Sequence, residues 1–217
     1  MSLERCRIPA LLGFLVVALA ATGAAQQGGA PAGGGGRGAG AAGGGRAPQP
    51  PPMLLTVHGW ADGTEVPIKF SCSGQPTGVS PAMDWKQAPP GTQSFLVLVH
   101  DPEPHPGKGL LDITHWLIWN IPATATGLPE AVPAGATLPD GSHQMKRGNG
   151  ANATAAYGGP CAPPGPDHHY TYEVWALDTM LDVGESATRP DVMRAADGHI
   201  PGAAEWIGMF HRTAAPQ

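Results

Sequence analysis

From Met53 onward, short apolar runs alternate with Gly- and Pro-rich turns, a pattern of strands rather than long helices. Leu54-Leu55-Thr56-Val57 reads as a short strand, and Ile68-Lys69-Phe70-Ser71-Cys72 alternates as a second. Asp62-Gly63-Thr64 and Pro89-Pro90-Gly91 are turns, and Thr77 to Trp85 is a loop entering a strand. Ser94 to Val99 is a continuous apolar run rich in β-branched residues, which suits a strand buried on both faces. With period two, His115, Leu117, Trp119 and Ile121 share one face of a strand, and Trp116, Ile118 and Asn120 share the other. Leu128 to Asn152 has no clear period and reads as a long loop with at most one short strand. Tyr170 to Leu177 is the last clear strand, with Tyr170, Tyr172, Val174 and Ala176 on one side. Thr188 can cap a short helix that Pro190 opens and Gly198 ends. Ala203 to Phe210 fits a helix or a strand equally well. These elements predict a mainly β, antiparallel domain with one or two short helices near its C-terminus.

The text before Met53 follows other rules. Arg5 and Arg7 precede an apolar stretch from Ile8 to Ala21, and Thr22-Gly23-Ala24-Ala25 supplies small residues for cleavage. Residues 1–25 therefore read as a signal peptide cut after Ala24 or Ala25, with an uncleaved signal anchor as the alternative. No cysteine follows the apolar stretch to carry a lipid. Residues 26–52 are Gly, Ala and Pro with two arginines, which cannot bury apolar surface, so they read as a disordered linker. The folded domain is expected over 53–213, in the periplasm or outside the cell.

That compartment bears on the cysteines. Cys6 lies in the leader, leaving Cys72 and Cys161, and an oxidising compartment favours a disulfide between them over two buried thiols. A formal net charge of -5 and the lack of a basic stripe exclude the usual face for nucleic acid. Outside the leader, no apolar run is long enough to span a membrane.

The candidate chemistry lies in two stretches. Asp101 and Glu103 follow the buried strand directly and flank Pro102, whose ring restricts the backbone and holds both carboxylates at a strand end. His115 and His168 each lead a predicted strand. If those strands are neighbours, the imidazoles converge beside Asp101, and a carboxylate next to a histidine favours its doubly donating form. Two such imidazoles with turn amides make a site for phosphate or carboxylate, to which Tyr157 and Tyr170 can add hydroxyls.

Asp101-Pro102-Glu103, then His115-Trp116 with Asn120-Ile121-Pro122, then Tyr157-Gly158-Gly159-Pro160-Cys161, Pro163-Pro164-Gly165, His168-His169-Tyr170 and Ala176-Leu177-Asp178 form a series of motifs. Together with Ser80-Pro81, Trp85, Gly198-His199, Gly208 and Arg212, this series resembles the phosphatidylethanolamine-binding protein (PEBP) family, and within it the bacterial Raf-kinase-inhibitor-like branch. The resemblance runs from Thr56 to Arg212. It implies an antiparallel β-sandwich with a C-terminal helical piece near a pocket for phosphate-like anions or phospholipid headgroups. By motif position, Asp101, His115, His168 and Tyr170 line that pocket, with Glu103 and Pro160 at its edge. Four positions depart from the family's usual residues. Glu103 stands for Asp, His169 for a frequent Arg, Gly78 for Asn and Phe210 for Tyr. The change at 169 weakens the positive field at the mouth.

Four functions compete. The first is a binding module for a small anion or phosphorylated headgroup, with no turnover and no cofactor. The second is an inhibitor or regulator of an envelope protease or other protein partner, since the family is also described as regulating kinases and proteases. A metal-dependent hydrolase is the third: His100, Asp101, Glu103, His105, His115, His168 and His169 offer ligands, but no His-Glu-x-x-His or Cys-x-x-Cys unit organises them. A metal-free hydrolase is the fourth, and it lacks a Gly-x-Ser-x-Gly elbow. The binding module fits the residues best.

Overall fold

The computed structural model describes residues 51–103, 112–148 and 153–213. The expected signal peptide, the linker as far as residue 50 and His105 lie outside the described residues.

Among the described residues, eleven strands, one 3-10 turn and one α-helix follow in order. They are β1 (Leu54–Val57), β2 (Thr64–Glu65), the 3-10 turn Ile68–Phe70, β3 (Met83–Lys86), β4 (Ser94–Asp101), β5 (Ile113–Pro122), β6 (Gly127–Leu128), β7 (His143–Gln144), β8 (Lys146–Arg147), β9 (Thr154–Ala155), β10 (His168–Leu177), α1 (Arg189–Ala196) and β11 (Gly202–Phe210). The large sheet has the order β2-β11-β10-β4-β5-β7, a smaller one β1-β3-β6, and β8 and β9 pair by themselves. Among the described residues, every pairing is antiparallel except β2 with β11.

The small sheet packs on one face of the large one, which makes the expected sandwich. Leu55, Val57, Met83 and Trp85 meet Val97, Val99, Trp116, Ile118, Tyr172 and Val174 in that layer. On the other face, Leu96, Leu98, Leu117 and Trp119 are covered by Leu181 and by Val192 and Ala196 of α1. β4 therefore has apolar cover on both sides, as its unbroken apolar run predicts. The side chains of Tyr170, Tyr172, Val174 and Ala176 fall on one face of β10, as period two requires. α1 starts as expected: Thr188 and Asp191 form a capping box, Pro190 sits in the first turn, and Gly198 follows at φ +80°.

Three expectations need correction, and one open reading is decided. Ile68 to Cys72 is not a strand. Pro67 leads into a 3-10 turn in which Phe70 N–H bonds to Pro67 O and the Ser71 N–H and hydroxyl both bond to Ile68 O. Local i to i+3 bonds win there because, of its two large apolar side chains, only Phe70 turns inward, leaving Ile68 60% exposed. The segment 203–210, open between helix and strand, is the strand β11. The segment after Leu128, expected as a long loop with at most one short strand, carries two, β7 and β8, and β6 lies at its start.

The third correction concerns β5. Its register against β4 slips twice, where Trp119 and Asn120 together oppose Leu96 and where His115 stands extra between Thr114 and Trp116. Two residues opposing one is a β-bulge, which re-aims side chains. Asn120 adopts φ 58° and bonds to Leu181 through both its amide and its carbonyl oxygen, while Ile121 joins the inter-sheet core. Strict alternation had put Asn120 with Trp116 and His115 with Leu117; each bulge reverses that assignment.

A charged cluster ties α1 to the sheet. His100 bonds through Nδ1 to Asp112 and through Nε2 to Glu173 at 2.7 Å. Arg189 of α1 bonds to Asp112 and to Thr114 Oγ1 at 3.2 Å, and Trp175 Nε1 donates to Glu173 at 2.7 Å. Burial alone would lower the His100 pKa, but hydrogen bonds and charge from Glu173 and Asp112 outweigh it and raise the value above 6.5. Burial would likewise raise Asp112 and Glu173. Arg189 and His100 hold Asp112 below its ordinary value, and His100 and Trp175 do the same for Glu173.

The linkage has a definite sign. A raised histidine contributes fully below pH 6.5 and loses its contribution as pH rises through the raised value; lowered carboxylates lose theirs as pH falls through the lowered values. Denaturant unfolding should therefore show His100→Gln costing about 2–3 kcal/mol at pH 6, with the difference from wild type shrinking toward pH 9. A pH-independent difference would refute the ionic role of His100. Separately, Cys72 and Cys161 are bridged with Cα atoms 5.4 Å apart across 89 residues of sequence. The Cys72→Ala/Cys161→Ala double variant should lose about 2–5 kcal/mol in the same assay.

Candidate ligand-binding site

β4 carries its buried run to Asp101, whose side chain is only 3% exposed. A buried charge needs hydrogen bonds to offset lost water. Two reach it from different directions. Glu103 N–H donates to Asp101 Oδ1 at 3.0 Å, closing the turn around Pro102, and His168 Nδ1 donates to Oδ2 at 2.8 Å. Glu103 lies farther out, where its oxygens accept His169 N–H at 2.5 Å and His169 Nδ1 at 2.8 Å. Those bonds hold the Glu103 carboxyl below its ordinary range against the opposing effect of burial.

β5 and β10 are not neighbours, contrary to the condition set by the sequence. Both pair with β4, one on each side, so Asp101 lies between the strands of His115 and His168. The bulge at His115 brings its ring to the inter-sheet face, edge-on to Tyr170 with centroids 5.1 Å apart. Tyr170 and His168 are two apart on β10 and so share that face. The structure thus gathers Asp101, His115, His168 and Tyr170 at one end of the sandwich.

His115 is 7% exposed and exchanges two bonds with Gly158: its Nδ1 donates to Gly158 O at 2.9 Å, and Gly158 N–H donates to His115 O at 2.9 Å. In the neutral ring Nε2 is then an acceptor, and it donates only when the ring is protonated. Burial, with the Arg147 charge, pushes the His115 pKa below 6.5 despite the Gly158 bond. The Tyr170 hydroxyl accepts N–H bonds from Cys161 at 2.9 Å and Ala162 at 2.8 Å. With both lone pairs engaged, its remaining capacity is to donate. Burial, aided by the Asp101 charge, pushes its pKa up to about 12, so the proton stays on the oxygen.

Residues 157–161 are pressed against residues 70–72. Tyr157 OH donates to Phe70 O at 2.9 Å, and Cys72 N–H donates to buried Pro160 O at 3.0 Å. Gly159 lies so close that a Cβ would stand 2.4 Å from Phe70 O, which requires glycine. Tyr157 OH also bonds to Tyr172 OH at 2.9 Å. The Tyr157 hydroxyl therefore belongs to the core and is not a pocket donor, unlike the expectation that paired it with Tyr170.

A cleft of about 660 Å³ adjoins this cluster, walled by Thr77, Arg147, Thr154, Gly158 and the Cys72–Cys161 bridge, and it reaches the cluster at His115. Asp101, His168 and Tyr170 are not in its wall. Arg147 was not anticipated. Its one mark in the sequence is that Lys146 and Arg147 are the only Lys or Arg between Lys108 and Arg189. Asp101, Glu103 and His168 bring one ligand atom each within 4.8 Å of one another, a spacing that could hold a metal. The same three side chains are hydrogen-bonded to one another's segments and to His169.

Comparison with known proteins sets this geometry in a family. The profile described as phosphatidylethanolamine-binding protein matches residues 56–211. The UPF0098 protein of Methanothermobacter thermautotrophicus is 39% identical over 160 residues, covering 74% of this chain and 99% of that protein. Among solved structures, the PEBP homologue CT736 of Chlamydia trachomatis aligns with a TM-score of 0.63 at 29% identity, covering 75% of this chain and 99% of that one. Escherichia coli YbcL, described as a member of the mammalian PEBP family, aligns at 0.62 and 27% identity, covering 74% and 99%. A profile match over most of the described fold, and a relative matched along its whole length, show that the chain belongs to the phosphatidylethanolamine-binding protein family.

Proposed function

We propose that this chain is an exported, non-catalytic binding protein whose Asp101, His115, His168 and Tyr170 cluster takes a small anion, either phosphate or the phosphorylated headgroup of a phospholipid. The observation that carries the reading is the way donors are prepared. Asp101 holds the Nδ1 edge of His168, and two backbone amides occupy the lone pairs of Tyr170. Fixed in this way, the Tyr170 hydroxyl keeps its proton to donate, and each imidazole turns its Nε2 edge outward, a donor to an oxyanion when the ring is protonated. Glu103 and Pro160 shape the edge rather than contact the anion.

Absence of turnover is supported by how the nucleophiles are engaged. The hydroxyls of Ser71, Ser94 and Ser142 donate to Ile68 O, Thr179 O and Asp140, and Ser80 Oγ accepts Val132 N–H. Both described cysteines are in the disulfide. That bridge, with the leader-like residues 1–25, supports export to the periplasm or beyond. No helix among the described residues is long and apolar enough to cross a membrane.

In calorimetry, phosphate and phosphoethanolamine should bind, and His168→Ala should weaken both by about tenfold or more, the effect of losing one charge-assisted hydrogen bond. The pH profile follows from His115. Its pKa is depressed in the free protein and rises when an anion sits at Nε2, so affinity should climb as pH falls below 6.5. His115→Gln should flatten that climb. No binding of either ligand between pH 5 and 8 would contradict the proposal.

A further inference from the structure

Arg147 is not among the donors of the cluster just described, although its charge acts on His115, and its setting is unusual for an arginine in an acidic chain. The guanidinium is partly buried and lies against Gly158 so closely that a Cβ there would stand 2.1 Å from Nη2. Nε donates to Ala156 O at 3.1 Å, while Nη1 and Nη2 reach no acceptor among the described residues. No carboxylate among the described residues pairs with it, and the cleft it faces has no Asp or Glu in its wall. A partly buried cation without a counter-ion is costly, and a fork of free N–H groups matches a carboxylate or phosphate. Burial lowers the Arg147 pKa without bringing it near neutrality, since guanidinium stays protonated in proteins.

Arg147 and His115 lie against the same residue, Gly158, one through its guanidinium and the other through the bond from Nδ1 to Gly158 O. The cleft joins them, so a ligand whose phosphate reaches His115 extends along the cleft toward Arg147. We infer that Arg147 is a specificity determinant and that the ligand is a small phosphate ester carrying a second acidic group, a carboxylate or another phosphate, that Arg147 receives. This rests on the anion-binding reading above and sharpens it. An ammonium such as that of ethanolamine would be repelled at this point, whereas a second acid would gain a charge-assisted pair in a partly desolvated cleft. The chain thereby regains, from β8, positive charge near the site that His169 does not supply.

The test titrates inorganic phosphate, phosphoethanolamine and phosphoglycolate into the full chain at pH 6, comparing wild type with Arg147→Gln, Arg147→Lys and His168→Ala. The wild type should prefer phosphoglycolate over the other two by about tenfold, the scale of one charge-assisted pair. Arg147→Gln should bring the ratio of phosphoglycolate to phosphate affinity down to about one, whatever it does to phosphate affinity through the charge it removes beside His115, and Arg147→Lys should retain part of the preference. His168→Ala should weaken all three ligands alike. Melting temperatures of the Arg147 variants identify any loss due to unfolding, and the Lys variant, which keeps the charge, then decides. Equal affinity of the wild type for phosphate and phosphoglycolate, or an undiminished preference in Arg147→Gln, would overturn the role of Arg147 alone. Failure of all three ligands would overturn the anion site itself. With the preference present, co-sedimentation with phosphatidylcholine vesicles containing phosphatidylserine places the second acid on a lipid headgroup, and its absence places it on a free metabolite.

Discussion

A carboxylate driven below the surface at the end of a strand with apolar cover on both faces must be surrounded by donors, and Asp101 is that carboxylate. Its two oxygens recruit a backbone amide from the Pro102 turn and an imidazole from β10. The central position of β4 in the large sheet allows this. With β10 on one side and β5 on the other, Asp101 can be served from both. The neighbouring groups then take defined states: His168 presents Nδ1 inward, and Tyr170 becomes a pure donor because Cys161 and Ala162 fill its acceptor side.

The 157–162 segment is the second half of that arrangement. It carries the carbonyl that orients His115 and the two amides that orient Tyr170. It stays in place because the disulfide, the Tyr157 hydroxyl and the close approach of Gly159 fasten it to residues 70–72. The far face of the sheet has its own anchor in His100, Asp112, Glu173 and Arg189, so the site and α1 are held from opposite sides of the same three strands.

Much of this was legible in the sequence, for reasons that can be stated. Ser94 to Val99 reads as buried on both faces because an unbroken apolar run has no solvent side, and β10 shows its alternation because only one of its faces enters the inter-sheet core. The helix shows in Thr188, Pro190 and Gly198 because caps are local chemistry. What escaped depends on partners distant in sequence. A bulge is a relation between two strands, so nothing in His115-Trp116 or Trp119-Asn120 alone reveals which residue changes face. Ile68 to Cys72 alternates like a strand, yet Pro67 and the Ser71 hydroxyl close a 3-10 turn there. Tyr157 was a plausible pocket donor until the fold placed Phe70 O beside its hydroxyl. Arg147 was missed because turn-rich text gives no period, and Gly158, the residue that defines its setting, comes eleven positions later.

The account stands on His115 and His168 serving one hollow beside Asp101 although they come from strands that do not pair. Nitrogen NMR of the two imidazoles during a phosphate titration tests that most directly. The account predicts that Nε2 of both rings shifts and that the two follow a single saturation curve. A response from only one ring, or two curves with different midpoints, would contradict it.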